Sequence, residues 1–181
     1  MELEHKFHRP PAGLIVAEGA VIEGYASVFG LADQGGDVVL PGAYAASLKA
    51  IRASGRSVKM LWQHDPGQPI GVWDEVAEDA TGLRVKGRVL TDLARGREAA
   101  TLMAAGAIDG LSIGYRTVRA ERDGKGRRLL AEIDLWEVSL VTFPMLPDAR
   151  AAVKSDGLVA AMGEMTALFD AARRDWIAQE R

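Results

Sequence analysis

Leu83-Arg84-Val85-Lys86-Gly87-Arg88-Val89-Leu90 (LRVKGRVL, residues 83–90) alternates without a break. Leu83, Val85, Gly87 and Val89 fall on one side and Arg84, Lys86 and Arg88 on the other. That period of two belongs to a strand with one buried and one wet face. Working outward, VIEGYASVF (21–29), SVKMLWQ (57–63) and PIGVWDEV (69–76) read as further strands. The stretch from Ser112 to Phe143 reads as a long hairpin turning at Asp123-Gly124, a pair suited to positive φ. Two helices interrupt the strands. AYAASLKAIRAS (43–54) follows Pro41-Gly42, and the alanine-rich ARGREAATLMAAG (94–106) stops at a glycine. Strands dominate and the helices are too few for repeated βαβ units, so the expected fold is mainly β (α+β), a barrel or sandwich with peripheral helices.

Beyond the hairpin the pattern changes. Leu158, Met162, Met165, Phe169, Ala172 and Trp176 are spaced 4, 3, 4, 3 and 4 apart. They form the a/d seam of a C-terminal amphipathic helix. Such a helix either packs on its own barrel or docks a second copy or a coiled-coil partner. LPDARAAVKSDG (146–157) reads as a linker, which divides the chain into a barrel domain (1–150) and a linker with helix (151–181).

The totals exclude several chemistries. A chain of 181 residues, 48% hydrophobic and 26% charged, holds one domain with a true core. A formal charge of −3 leaves no electrostatic footprint for nucleic acid or an anionic membrane. With no cysteine there are no disulfides, thiolate nucleophiles or cysteine-bound metals. The first residues mix both charges around the short apolar run Leu14–Ala17, which does not read as a signal peptide. No stretch reaches the roughly 20 apolar residues of a membrane span. A cytosolic protein is expected.

Gly110-Leu111-Ser112-Ile113-Gly114 matches the G-x-S-x-G pattern of a nucleophile elbow. An elbow needs a strand before the serine, a helix after it and a later histidine. Here the helix precedes, the strand follows, and no histidine follows Ser112. The elbow is rejected, but the serine is retained. Alternation puts Ser112, Gly114 and Arg116 on one face, and the bare Gly114 leaves room beside the hydroxyl. A turn-forming serine at a strand start is the ordinary alternative.

A serine nucleophile needs a base, and His64 in LWQHDP (61–66) is the only histidine within the expected core. His5 and His8 sit in a polar N-terminal arm, and their H-x-x-H spacing lacks a third metal ligand. A third group must hold the imidazole. In EIDLWEVSLVTF, period-two reading puts Ile133, Leu135, Glu137, Ser139 and Val141 on one face, with Glu137 among apolar neighbours. A carboxylate there needs a partner, either an arginine or His64. Asp65, Asp74 and Asp109 are rival orienters.

With His64, Ser112 and Glu137 assembled, the sequence resembles the HK97-type prohead (capsid maturation) serine proteases of tailed phages, which also occur in gene transfer agents. The resemblance spans about Ile22 to Arg150. It rests on four phrases in order: GYASVFGLADQGGDVVLPGAY, VKMLWQHDPGQPIGVW, GREAATLMAAGAIDGLSIGY and WEVSLVTFPMLPDA. The family is distantly similar to the herpesvirus assemblins, which implies a closed, antiparallel-rich β-barrel of six to seven strands. It further implies Ser112 as nucleophile, His64 as general base and Glu137 as orienting acid where assemblins carry a second histidine. No metal or cofactor is implied. The stretch after Phe143 is the candidate for oxyanion donors, although Pro144 and Pro147 lack an N–H.

The implied substrates are scaffold-like segments of the major capsid protein, and the protease itself, inside an immature capsid in the bacterial cytoplasm. The 158–176 helix would target or dimerise the enzyme and be self-cleaved. A non-enzymatic assembly or scaffold protein on the same barrel is the alternative, and a small-substrate esterase or amidase is a third reading.

Overall fold

The computed structural model describes residues 20–153, and statements of number or absence below concern those residues. The tail seam at 158–176 and the His5/His8 pair lie outside them.

The strands are β1 (Val21–Val28), β2 (Asp37–Val39), β3 (Lys59–Trp62), β4 (Asp65–Glu78), β5 (Gly82–Val89), β6 (Gly110–Arg122), β7 (Arg128–Val141) and β8 (Ala151–Val153). The helices are α1 (Ala45–Ala53) and α2 (Ala94–Ala104). The fold is thus mainly β with two helices, as expected.

β5 behaves as its alternation requires: Leu83, Val85 and Val89 are buried while Lys86 and Arg88 face water. It pairs antiparallel with both β1 and β4. All eight strands join one mixed sheet that curls into a half-barrel, in the order β2-β7-β3-β4-β5-β1-β8, with β6 on the other edge of β7. The mixture comes from β7, which runs parallel to β2 and β3 but antiparallel to β6. The two ends of the sheet meet at an isolated bridge, Gly110 with Arg150, flanked by the bond from Leu111 N–H to Ala149 O at 2.9 Å. β8 continues the sheet to Val153 against Gly24 to Ile22 of β1.

Each helix lays a narrow stripe on the curl. α1 buries Ser47, Leu48 and Ile51, and α2 buries Gly96, Ala99 and Met103. The α1 entry is capped from β4, where the Glu78 carboxylate accepts the N–H groups of Gly42 and Tyr44. Among the described residues, no helix is long and apolar enough to cross a membrane.

Two turns correct the sequence reading. The β6–β7 connection does not turn tightly at Asp123-Gly124. Residues 123–127 form a longer loop, with Gly126 as its left-handed residue (φ 81°). The Asp123 carboxylate holds that loop by accepting the N–H groups of Lys125 (2.8 Å) and Arg127 (2.9 Å). The tight two-residue hairpin lies elsewhere. Trp62 pairs with Asp65, and the intervening Gln63 and His64 have φ of 53° and 62°. Positive φ at both central residues is the signature of a type I′ turn, the geometry matching the twist of paired strands.

Candidate active site

The site forms where β3, β7 and β6 lie side by side. In register, Leu61 of β3 stands beside Ser139 of β7, and Ser139 stands opposite Ser112 of β6. Residues directly opposite in an antiparallel pair project to the same face. Ser112 and Ser139 therefore share a face, as do Gly114 and Glu137 two residues along.

That face is not the one unbroken alternation assigns to Glu137. Gly114 pairs with Glu137 while Tyr115 pairs with Leu135, so Trp136 is an extra residue on β7. This bulge reverses the phase of the strand. Ile133 and Leu135 point into the core before it, and Val138 and Leu140 after it. Glu137 consequently leaves the apolar side for the face carrying Ser112. On that face the carboxylate escapes the cost of burial among leucines.

His64 arrives from the β3–β4 turn. Its Nδ1 lies 2.5 Å from Glu137 Oε1. The other carboxylate oxygen, Oε2, accepts the Ser139 hydroxyl at 2.5 Å, and that hydroxyl accepts the His64 backbone N–H at 3.2 Å. The His64 ring remains 41% exposed while the Glu137 side chain is 12% exposed. The hydrogen bond to Glu137 raises the imidazole pKa above its ordinary 6.5, outweighing the opposing effect of partial burial.

The rival orienters are engaged elsewhere. The Asp65 carboxylate accepts the Gly67 N–H at 2.8 Å, Asp74 forms a two-pronged pair with Arg88, and Asp109 pairs with Arg150. His64 and Glu137 are brought into contact. Ser112 lies one strand over on the same face, 5% exposed, and its hydroxyl has no hydrogen-bond partner among the described residues. No hydrogen bond joins it to His64. One strand spacing, about 4.8 Å, separates the strand that bears Ser112 from the strand that bears Glu137.

Sequence reasoning missed Ser139, although its place two residues after Glu137 in a strand was the available signal. It also misjudged Gly114, whose space is filled by a neighbour. A Cβ at residue 114 would collide with the Glu137 carboxyl group. Gly114→Ala is thus expected to push that carboxylate away from His64. The imidazole pKa should fall back toward 6.5, a change readable by NMR titration of the ring.

Beside Ser112 lies a cavity of about 160 Å³ whose walls include Leu31, Val39, Ile113, Tyr115 and Met145. Among the described residues there is no cluster of three or more histidine, aspartate or glutamate residues able to hold a metal.

The chain is similar to known proteins in both sequence and fold. It is 35% identical to the prohead protease of Enterobacteria phage HK97 over 143 residues, which cover 76% of this chain. It spans 62% of that relative's length. The fold is similar to the bacteriophage T4 capsid assembly protease (TM-score 0.57, 18% identity, covering 73% of this chain and 89% of that one). It is also similar to the KSHV protease solved with a hexapeptide phosphonate inhibitor (TM-score 0.51, 13% identity, covering 72% and 63%). Those two likenesses concern fold alone. Residues 12–163 match the family described as Caudovirus prohead serine protease, and to that serine protease family the chain belongs.

Proposed function

We propose that this chain is a prohead maturation endopeptidase in which Ser112 is the nucleophile, His64 the general base and Glu137 the orienting acid. The observation that carries the reading is the His64 Nδ1–Glu137 Oε1 contact on the face of the sheet that also bears Ser112. A proton held on Nδ1 by the carboxylate leaves the Nε2 lone pair free for the serine.

Nε2 takes the Ser112 proton as Oγ bonds to the scissile carbonyl carbon. The tetrahedral adduct collapses by breaking the C–N bond, and Nε2–H delivers the proton to the departing amine. Water, deprotonated in turn by Nε2, hydrolyses the acyl ester and restores the serine. Met145 and Leu146 share the cavity wall with Ser112 and follow Pro144, so their N–H groups would serve the oxyanion. The bridge between Gly110 and Arg150 supports reading the curled sheet as a closed barrel that keeps these strands in register.

The substrates on this reading are scaffold-like segments of the major capsid protein, and the protease itself, cut within the immature shell in the host cytoplasm. The test is co-expression with the capsid protein of the same genome, followed by intact-mass measurement of both chains. Wild type should truncate the capsid protein at one site, and the Ser112→Ala variant should leave it whole. Cleavage by both proteins, or by neither, would favour a non-enzymatic assembly role on the same fold.

The 158–176 seam is assigned to targeting or dimerisation. Deletion of residues 155–181 should leave cleavage of a free peptide unchanged but abolish incorporation into shells, measured by protease content of purified proheads. Normal incorporation refutes that assignment.

A further inference from the structure

We propose that Ser139 is a positioning residue for the His64–Glu137 pair, acting through both members without touching substrate. The inference rests on the assignment of Ser112, His64 and Glu137 above. Ser139 is fully buried, and its hydroxyl is used in both directions. The oxygen accepts the His64 backbone N–H at 3.2 Å, and the hydroxyl proton is donated to Glu137 Oε2 at 2.5 Å. With Glu137 Oε1 at 2.5 Å from His64 Nδ1, the contacts close a ring: imidazole, carboxylate, serine hydroxyl and the backbone of the histidine itself.

The ring is needed because of where His64 sits. Both residues of its turn adopt positive φ, a region that side chains with a Cβ enter at a cost. Such a turn persists when neighbours over-determine it. Gln63 is clasped to Thr142, donating Nε2–H to Oγ1 at 2.8 Å and accepting the Thr142 N–H at 3.3 Å, and its own N–H bonds Leu140 O at 2.9 Å. Those bonds fix the first half of the turn. Among these groups only Ser139 also holds the histidine half, and only Ser139 ties that backbone to the carboxylate gripping the ring.

The same accounting separates the two serines that face each other across β6 and β7. The Ser139 hydroxyl has neither exposure nor a free proton, whereas the Ser112 hydroxyl makes no hydrogen bond among the described residues. Ser139 is therefore placed to aim the base, and Ser112 to receive it.

Peptide cleavage kinetics on the full chain test this. Ser139→Ala should lower kcat about ten- to a hundredfold, the range for removing a buried hydrogen bond to a charged group, with KM changed less than about twofold. Ser139→Thr keeps the hydroxyl and should restore kcat to within about threefold. If Ser139→Ala does not accumulate as folded protein, Ser139→Cys replaces it, and its weak thiol donor should give a smaller loss in the same direction.

The decisive variant combines Ser139→Ala with Glu137→Gln. Because part of the effect of Ser139 runs through Glu137, the pair should cost clearly less than the product of the two single losses. Loss of the bond to the His64 backbone keeps the double variant slower than Glu137→Gln alone. Fully multiplicative losses, a Thr variant as slow as the Ala variant, or wild-type kcat in the Ala or Cys variant each overturn the role. Ser112→Ala run alongside separates the two levels. If Ser112→Ala is inactive and Ser139→Ala is normal, only the positioning role falls. If Ser112→Ala is fully active, the assignment of the whole site falls.

Discussion

Ser112→Ala is expected to lower kcat by about 10⁶, the scale seen when a serine nucleophile is removed from an intact catalytic set. The residual rate would come from binding and oxyanion stabilisation alone. The variant should fold normally for a local reason. The Ser112 hydroxyl has no hydrogen-bond partner among the described residues, so its loss orphans no buried group. Its Cβ is retained, and the cross-strand pairing with Ser139 depends on backbone bonds that alanine also makes. Turnover of a peptide spanning the capsid cleavage junction, alongside the thermal unfolding midpoint, checks both halves. An inactive variant with an unchanged midpoint is the expected result. Loss of activity together with loss of folded protein would show a structural serine instead.

Glu137→Gln should lower kcat by about 10³ to 10⁴ near neutral pH, because the amide neither holds the imidazole in one tautomer nor balances its charge. The pH profile carries the more specific signature. The hydrogen bond to Glu137 raises the His64 pKa above 6.5, so in the wild type the acid limb of kcat/KM should lie above that value. Removing the carboxylate should move the limb to lower pH even as the plateau collapses.

Stability is linked with the opposite sense. A folded pKa above the unfolded one contributes stability that is fully present below about 6.5 and is lost as pH rises through the folded value. The wild type should therefore gain activity over the same interval in which it sheds this ion-pair stabilisation. With the ring 41% exposed the stabilisation is screened and small, and Glu137→Gln should abolish its pH dependence. Unfolding midpoints on either side of the interval, measured for both proteins, test the sign.

How far the sequence could be read depended on whether local pattern or pairing decided each element. β5 was legible because Arg84, Lys86 and Arg88 mark one wet face without interruption. β2 and β8 were not, since each has three residues and exists through its neighbours, β2 beside Arg128–Leu130 and β8 beside Ile22–Gly24. Asp65, a rival orienter by its place beside His64, instead turns to accept the Gly67 N–H, a choice that local spacing did not decide.

The turn that displays His64 could not be read from composition. Asp123-Gly124 has the favoured chemistry for a tight hairpin but belongs to a longer loop, while Gln63-His64, with no glycine, takes the left-handed pair. There the contacts from Ser139 and Leu140 of β7 and from Thr142 just after it outweigh local preference. Glu137 illustrates the remaining limit. Its identity as a candidate came from the sequence, but its face depended on the single-residue bulge at Trp136, which no alternation rule registers. That bulge turns a carboxylate destined for the core into one that meets an imidazole.

Covalent trapping addresses the central assignment most directly. The full chain is treated at neutral pH with a fluorophosphonate that esterifies activated serine hydroxyls, and the adduct is located by peptide mass mapping. A single adduct on Ser112, absent when His64 is replaced by alanine, is the predicted result. An adduct on another residue, or none in a preparation that cleaves its capsid substrate, would contradict the account.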